Sequence, residues 1–226
     1  MSPMTSHGTA PGTHEFTVTE TELLLESPIL SVRRDTLIMP GGTTARREII
    51  EHFGAVAVVA FDGEKIAMVH QYRHSVSDRL WELPAGLLDI ADEDALIGAQ
   101  RELMEEAGLK ANKWSVLTDL ITSPGFCDET IRVYLAQDLE SIPRPEVTGD
   151  EEADMVFQWV PLEEAVAMVF DGRLANSVAI GGILAADAVI AGRAAARPTD
   201  VPFPYRPTAL AERRKARGIV PDMKKL

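Results

Sequence analysis

The residues best suited to chemistry lie in Arg101-Glu102-Leu103-Met104-Glu105-Glu106-Ala107-Gly108-Leu109, preceded by Gly86-Leu87-Leu88-Asp89-Ile90-Ala91-Asp92-Glu93. Placed on a helix at about 100° per residue, Leu96, Ala99 and Ala107 fall within roughly 40° of Leu103 and make an apolar stripe. Glu106, Glu102 and Glu105 follow one another along one flank, an acidic arc of roughly 100°. Like charges three or four residues apart cost a helix about 0.2–0.5 kcal/mol per pair, and Arg101 offsets one of them by pairing with Glu105. The arc reads either as a solvated acidic face or as the seat of a cation. The glycine that closes the helix and Pro84-Ala85-Gly86 upstream favour the seat. Carboxylates with no nearby His or Cys suit magnesium or manganese better than zinc or copper.

Those acids need a frame. Alternating or β-branched runs at Thr17 to Leu25, Ile29 to Met39, Arg47 to Phe53, Ala55 to Phe61 and Lys65 to Tyr72 predict a mainly antiparallel sheet, with turns at Pro40-Gly41-Gly42 and Asp62-Gly63. The helix is predicted over Asp92 to Ala107, stopped by Gly108. Strands follow at Trp114 to Ile121, Thr130 to Ala136 and Met155 to Val160, then helices at Leu162 to Phe170 and about Asn176 to Ala191. Asp138 to Asp154 is an acid-, Pro- and Gly-rich loop, long enough to expect a function of its own.

The chain has 226 residues, 46% hydrophobic and 25% charged, as in folded globular domains and unlike disordered, collagenous or coiled-coil chains. A net charge of −13 disfavours nucleic acid and anionic lipid as partners. No window is long and apolar enough for a membrane span, and the first residues carry no secretory pattern. A single cysteine, Cys127, cannot form an intrachain bridge, which points to a reducing, cytoplasmic setting; Asp128 beside it disfavours a thiolate. A Walker-type phosphate loop and a Gly-x-Ser-x-Gly elbow are both missing. His52, His70 and His74 lack the close spacing of a zinc site. Arg206 onward is basic and broken by proline, and reads as a solvated tail.

The acidic helix and the loop before it resemble the signature of the Nudix hydrolases, Gly-x5-Glu-x7-Arg-Glu-apolar-x-Glu-Glu-x-Gly-apolar. The second half matches at every fixed position. In the first half, six residues rather than five separate Gly86 from Glu93, so that Asp92 stands at the family spacing and Glu93 keeps the interval to Arg101. The resemblance makes Glu102 and Glu106 the principal metal ligands, with Glu105 in support and the Ala85 carbonyl completing one site. It implies magnesium or manganese as the cofactor and a nucleoside diphosphate joined to another group as the substrate.

Arg47-Glu48-Ile49-Ile50-Glu51-His52-Phe53-Gly54, Gln71-Tyr72-Arg73-His74, Trp81-Glu82-Leu83-Pro84-Ala85-Gly86 and Ser123-Pro124-Gly125-Phe126-Cys127-Asp128-Glu129 are similar to the ADP-ribose pyrophosphatase branch, particularly its actinobacterial type. Pro124, 15 residues beyond Leu109, is a marker of that branch. By this resemblance Arg47 and Glu51 contribute to the nucleotide site, from the same or a partner subunit, and Glu82, Pro124 and Asp128 line the substrate site. Arg73 ends a strand and can fork either onto a phosphate or into a surface ion pair. Trp81 reads as core before base-stacking platform. In Glu151-Glu152, the second acid is the implied general base for the attacking water.

The implied architecture is an α/β (α+β) domain, a mixed sheet flanked by helices, joined to an N-terminal antiparallel sheet that dimerises the protein. Its boundaries are a flexible leader over 1–15, the dimerising sheet over 16–53, the hydrolase domain over 54–205 and the basic tail over 206–226. The implied reaction yields AMP and ribose 5-phosphate. Another nucleoside diphosphate sugar or a dinucleotide as substrate, and a non-hydrolysing ADP-ribose sensor, stand as the alternatives.

Overall fold

The β-branched runs early in the chain form five strands: β1 (Val18–Glu26), β2 (Leu30–Ile38), β3 (Thr44–His52), β4 (Ala55–Ala60) and β5 (Lys65–Arg73). They are seen in a computed structural model that describes residues 12–144 and 154–225. Two short strands that the sequence pattern does not announce follow, β6 (Asp78–Glu82) and β7 (Ala85–Leu87). Then come α1 (Ala95–Ala107), β8 (Leu109–Ile121), β9 (Thr130–Ser141), β10 (Val156–Pro161), α2 (Leu162–Asp171), α3 (Ser177–Ile190) and α4 (Ala209–Ala216). β8 and β9 are longer than expected because they pair antiparallel from Leu109↔Ser141 to Ile121↔Thr130.

Three sheets result, ordered β1-β2-β3, β10-β5-β6 and β7-β4-β9-β8. All named pairings are antiparallel except β4 with β9, which makes the last sheet mixed. β4 is the centre of the molecule: Ala55, Ala57 and Val59 face a core shared with α2 and α3, and Val56, Val58 and Ala60 face one shared with α1. Every residue of β4 is buried, so its run Ala-Val-Ala-Val-Val-Ala shows no polar alternation. α1 presents Ala99, Leu103 and Ala107 to this sheet, the stripe expected from its period.

The carboxy-terminal segment corrects the expectation of a solvated tail. Arg214 is fully buried, its Nη1 2.9 Å from Glu26 Oε1 and its Nη2 donating to the Ser27 carbonyl at 2.6 Å. Arg217 reaches Glu26 as well, at 2.5 Å. Leu210 and Met223 pack with Phe53 in a small separate core. Three of the charges that argued for solvation, Arg213, Arg214 and Arg217, pair with Glu51 and Glu26 of the N-terminal sheet.

Glu51 is the meeting point of that contact. Burial opposes its ionisation, yet Arg213, Ser31 and Arg33 bind its two oxygens at 2.6 Å each and hold the carboxyl down at about 2. A carboxyl lowered from 4.5 stabilises the fold above pH 4.5 and loses that contribution as pH falls toward 2. Glu51→Gln is expected to lower stability by about 3 kcal/mol at neutral pH, as for a broken buried ion pair. Urea midpoints measured from pH 7 downward check it: the gap between wild type and variant should narrow across that acid window.

Candidate active site

α1 begins three residues later than expected. Asp92 adopts a left-handed φ of 61°, and Asp94 caps the helix by accepting from the Leu96 amide at 2.8 Å. The extra residue before the helix is absorbed at Asp92, which points outward to Lys215 Nζ at 2.9 Å. Glu93 turns inward, its side chain 8% exposed, and holds Arg101 Nε at 3.1 Å. Glu93 therefore occupies the inner position of the motif, although Asp92 has the family spacing. At the other end, Gly108 closes α1 at φ 62°, its amide donating to the Met104 carbonyl at 3.0 Å.

Two of the predicted acids, Glu106 and Glu102, meet the loop that precedes them. Glu106 is buried and its Oε2 accepts from the Ala85 amide at 3.0 Å. Glu102 is buried beneath Gly86, where a Cβ would stand 2.0 Å from its carboxyl carbon. Any side chain at Gly86 would displace that carboxylate. Glu105 is half-buried at the rim. Arg101 does more than the single pairing anticipated: its guanidinium reaches Glu93, Glu102 at 2.5 Å and Glu105 at 3.2 Å.

Among the described residues no three His, Cys, Asp or Glu side chains already converge as a ligand set. The carboxylates are drawn toward Arg101 instead. Burial pushes the Glu102 carboxyl up to about 7, with Glu105 and Asp89 adding to the rise and Arg101 opposing it. A buried acid beside other acids, cradled where no side chain fits, suits a hard divalent cation, and the oxygen-only donors match magnesium or manganese. Glu102, Glu106, Glu105 and the Ala85 carbonyl are the groups available to hold it.

Beside this edge opens a cleft of about 720 Å³. Arg73 and Glu82 line it, joined by a two-point ion pair of 2.9 and 2.7 Å, and Gln71 donates to Glu82 at 3.1 Å. Ser123 and Glu129 line it from the β8–β9 loop, Asn176 and Ser177 from the start of α3, and Lys224 from the carboxy-terminal segment. His52 lines it too, and burial lowers its pKa while its Nδ1 accepts from the Gly54 amide at 3.2 Å. A smaller cavity of about 410 Å³ under α4 includes Glu93 but none of the three acids on the α1 edge.

Four expected substrate contacts stand elsewhere in this protomer. Glu51 is committed to Arg33, Arg213 and Ser31. Asp128 Oδ1 accepts from the His52 amide at 2.8 Å and pins the loop to β3. Pro124 is exposed in that loop, whose neighbours Thr122 and Ser123 face the cleft instead. Arg47 is exposed on β3 and bonds the Arg46 carbonyl at 2.8 Å. Glu152 lies outside the described residues. Trp81 stacks on His70, with centroids 4.5 Å apart, and packs against the core. Burial raises the Cys127 thiol, in keeping with a residue that is no nucleophile.

Sequence reasoning missed Asp89 and Lys224. Asp89 sits inside the motif but outside its fixed positions, and Lys224 is one cation among many in the tail. The signal available was Pro221 and Met223, which interrupt the charge run with residues fit for anchoring.

A model described as NUDIX domain matches residues 43–178. An ADP-ribose pyrophosphatase of Mycobacterium tuberculosis (strain ATCC 25618 / H37Rv) is 52% identical over 205 residues, which is 90% of this chain and 99% of that one. An ADP-ribose pyrophosphatase of Bacillus subtilis (strain 168) is 36% identical over 163 residues, 70% of this chain and 87% of that one. A crystal structure of an ADP compounds hydrolase covers 81% of this chain and 98% of its own, with TM-score 0.70 and 19% identity, a likeness of fold. With the glycine loop, the buried glutamates and the closing Gly108 all in place on this fold, the chain belongs to the NUDIX family.

Proposed function

We propose that this protein hydrolyses the diphosphate bond of ADP-ribose to AMP and ribose 5-phosphate, with magnesium or manganese as cofactor. The observation that carries the chemistry is the pair of buried glutamates, Glu102 and Glu106, set against the Ala85-Gly86 backbone. The substrate follows from the 52% identity, across nearly its whole length, to a protein named for that activity.

When bound, the divalent ion supplies charge neutralisation on the diphosphate and acidification of water. Glu102, Glu106 and the Ala85 carbonyl hold it, with Glu105 in support. Arg73 lines the cleft, oriented by its two-point pair with Glu82, and is the arginine that meets a phosphate oxygen in this reading. Water attacks one phosphorus, its proton passes to Glu152, and the bond from the other side of that phosphorus to the bridging oxygen breaks. Glu82 orients Arg73 and stays out of the chemistry.

The N-terminal sheet supports a homodimer: Phe16, Val18, Leu23, Leu24, Leu25 and Ile29 are apolar and exposed on or beside it. In that arrangement Arg47, exposed on the outer part of β3, serves the cleft of the other protomer. Light scattering at micromolar concentration is expected to give twice the chain mass of 24.6 kDa; the monomer mass would exclude this assembly. Among the described residues no helix is long and apolar enough to cross a membrane.

Product analysis tests the reaction. ADP-ribose with magnesium or manganese should give AMP and ribose 5-phosphate, abolished by chelator and faster than products from other nucleoside diphosphate sugars or dinucleotides. Faster cleavage of one of those compounds would change the substrate and keep the metal helix; binding without cleavage would make the protein a sensor. Glu106→Gln and Gly86→Ala should each lower kcat by about 100-fold or more, the first by removing a ligand and the second by displacing the Glu102 carboxylate. Manganese titration of both variants should show weakened binding while circular dichroism stays that of the wild type.

A further inference from the structure

Lys224 reaches the cleft on a backbone that is built to put it there. The Ala91 amide donates to the Pro221 carbonyl at 2.8 Å, and the Met223 amide donates to the Asp89 carbonyl at 2.9 Å. Met223 is 1% exposed against Phe53 and Leu210, and Asp222 Oδ1 accepts from the Lys224 amide at 3.0 Å. The side chain itself is 45% exposed, with Nζ 2.5 Å from the buried Asp89 Oδ2. Asp89 lies three residues after Gly86, so this ammonium stands beside the loop that covers Glu102.

The cleft is otherwise hostile to an anion. Glu82 and Glu129 line it, and Glu102 and Glu106 lie behind its Ala85-Gly86 wall. Among the described residues lining it, Arg73 and Lys224 are the side chains with a fixed positive charge. Arg73 is joined to Glu82 by two hydrogen bonds, whereas Lys224 has a single contact to Asp89 and a flexible four-carbon stem. Asp89, Asp222 and Glu102 all act to keep the amine protonated against its partial burial.

We propose that Lys224 is a substrate-binding residue that donates to a phosphate group of the diphosphate, Asp89 holding the ammonium within reach until substrate arrives. This rests on the reading of the cleft as the ADP-ribose site. A lysine lying among carboxylates has a rival role, as an internal cation that competes with the metal. Lys224 lines the same cleft as Arg73 and its Nζ is held by Asp89, not by Glu102 or Glu106, which favours the phosphate.

The test is steady-state kinetics of Lys224→Met, Lys224→Arg and, as a control, Lys225→Met, with calorimetric titration of inorganic pyrophosphate in magnesium. Lys224→Met should raise KM for ADP-ribose by about tenfold or more with kcat within about threefold, and weaken pyrophosphate by a similar factor. Lys224→Arg should recover most of the loss, and Lys225→Met should match the wild type in kinetics and Tm. An unchanged KM in Lys224→Met, or a fall in kcat alone, would overturn the assignment. So would tighter manganese binding by that variant with KM unchanged, the mark of the competing cation. If the wild type does not cleave ADP-ribose, the substrate reading fails by itself. Lys224 is then judged on pyrophosphate, where weakened binding supports it and unchanged binding overturns it.

Discussion

Carboxylates crowded along one edge of α1 are the constraint on which the site depends. Left alone, Glu102, Glu105 and Glu106 repel one another, and burial makes the repulsion worse by removing water. The chain answers with Arg101, which touches Glu93, Glu102 and Glu105 together. The family glycine is part of the same answer, because a side chain there would have to displace the Glu102 carboxylate from under the loop. Neither device neutralises the edge completely, and the Glu102 carboxyl stays raised to about 7. In the proposed site, that residual cost is what a divalent cation would remove on binding.

The frame around this edge is held from both ends of the chain. β4, buried on both faces, carries β7 and so the Ala85-Gly86 wall on one side and β9 on the other. The carboxy-terminal segment then ties three places together: Arg214 and Arg217 hold Glu26, Arg213 holds Glu51, and residues 221–224 run beside Asp89 to Ala91. A single stretch of chain thereby links the N-terminal sheet, the core around Phe53 and the loop before α1.

Much of this was legible from residue types and spacing. The α1 stripe, the acidic arc and the glycine stop follow from a 3.6-residue period, and local structure decides them. The β-branched runs located β1 to β5 to within a few residues. The misses have physical reasons. β6 and β7 are short and flank Leu83-Pro84, so neither shows a period long enough to read. α4 and the segment after it look solvated because their charges find partners nearly two hundred residues away, as Arg214 finds Ser27 and Glu26. The choice between Asp92 and Glu93 could not be made by counting: the left-handed backbone at Asp92 makes it. Glu51 and Asp128, expected to bind substrate, are engaged in this protomer by Arg33 and Arg213 and by the His52 amide, contacts that spacing along the chain does not announce.

The most direct measurement is anomalous diffraction from crystals grown with manganese and a non-hydrolysable ADP-ribose analogue. The account predicts a manganese peak within about 2.2 Å of oxygens from Glu102 and Glu106 and of the Ala85 carbonyl, with the analogue's diphosphate beside it in the cleft. A fully loaded crystal with its manganese elsewhere, for example at His52 and Glu129, or with the diphosphate outside that cleft, would contradict it.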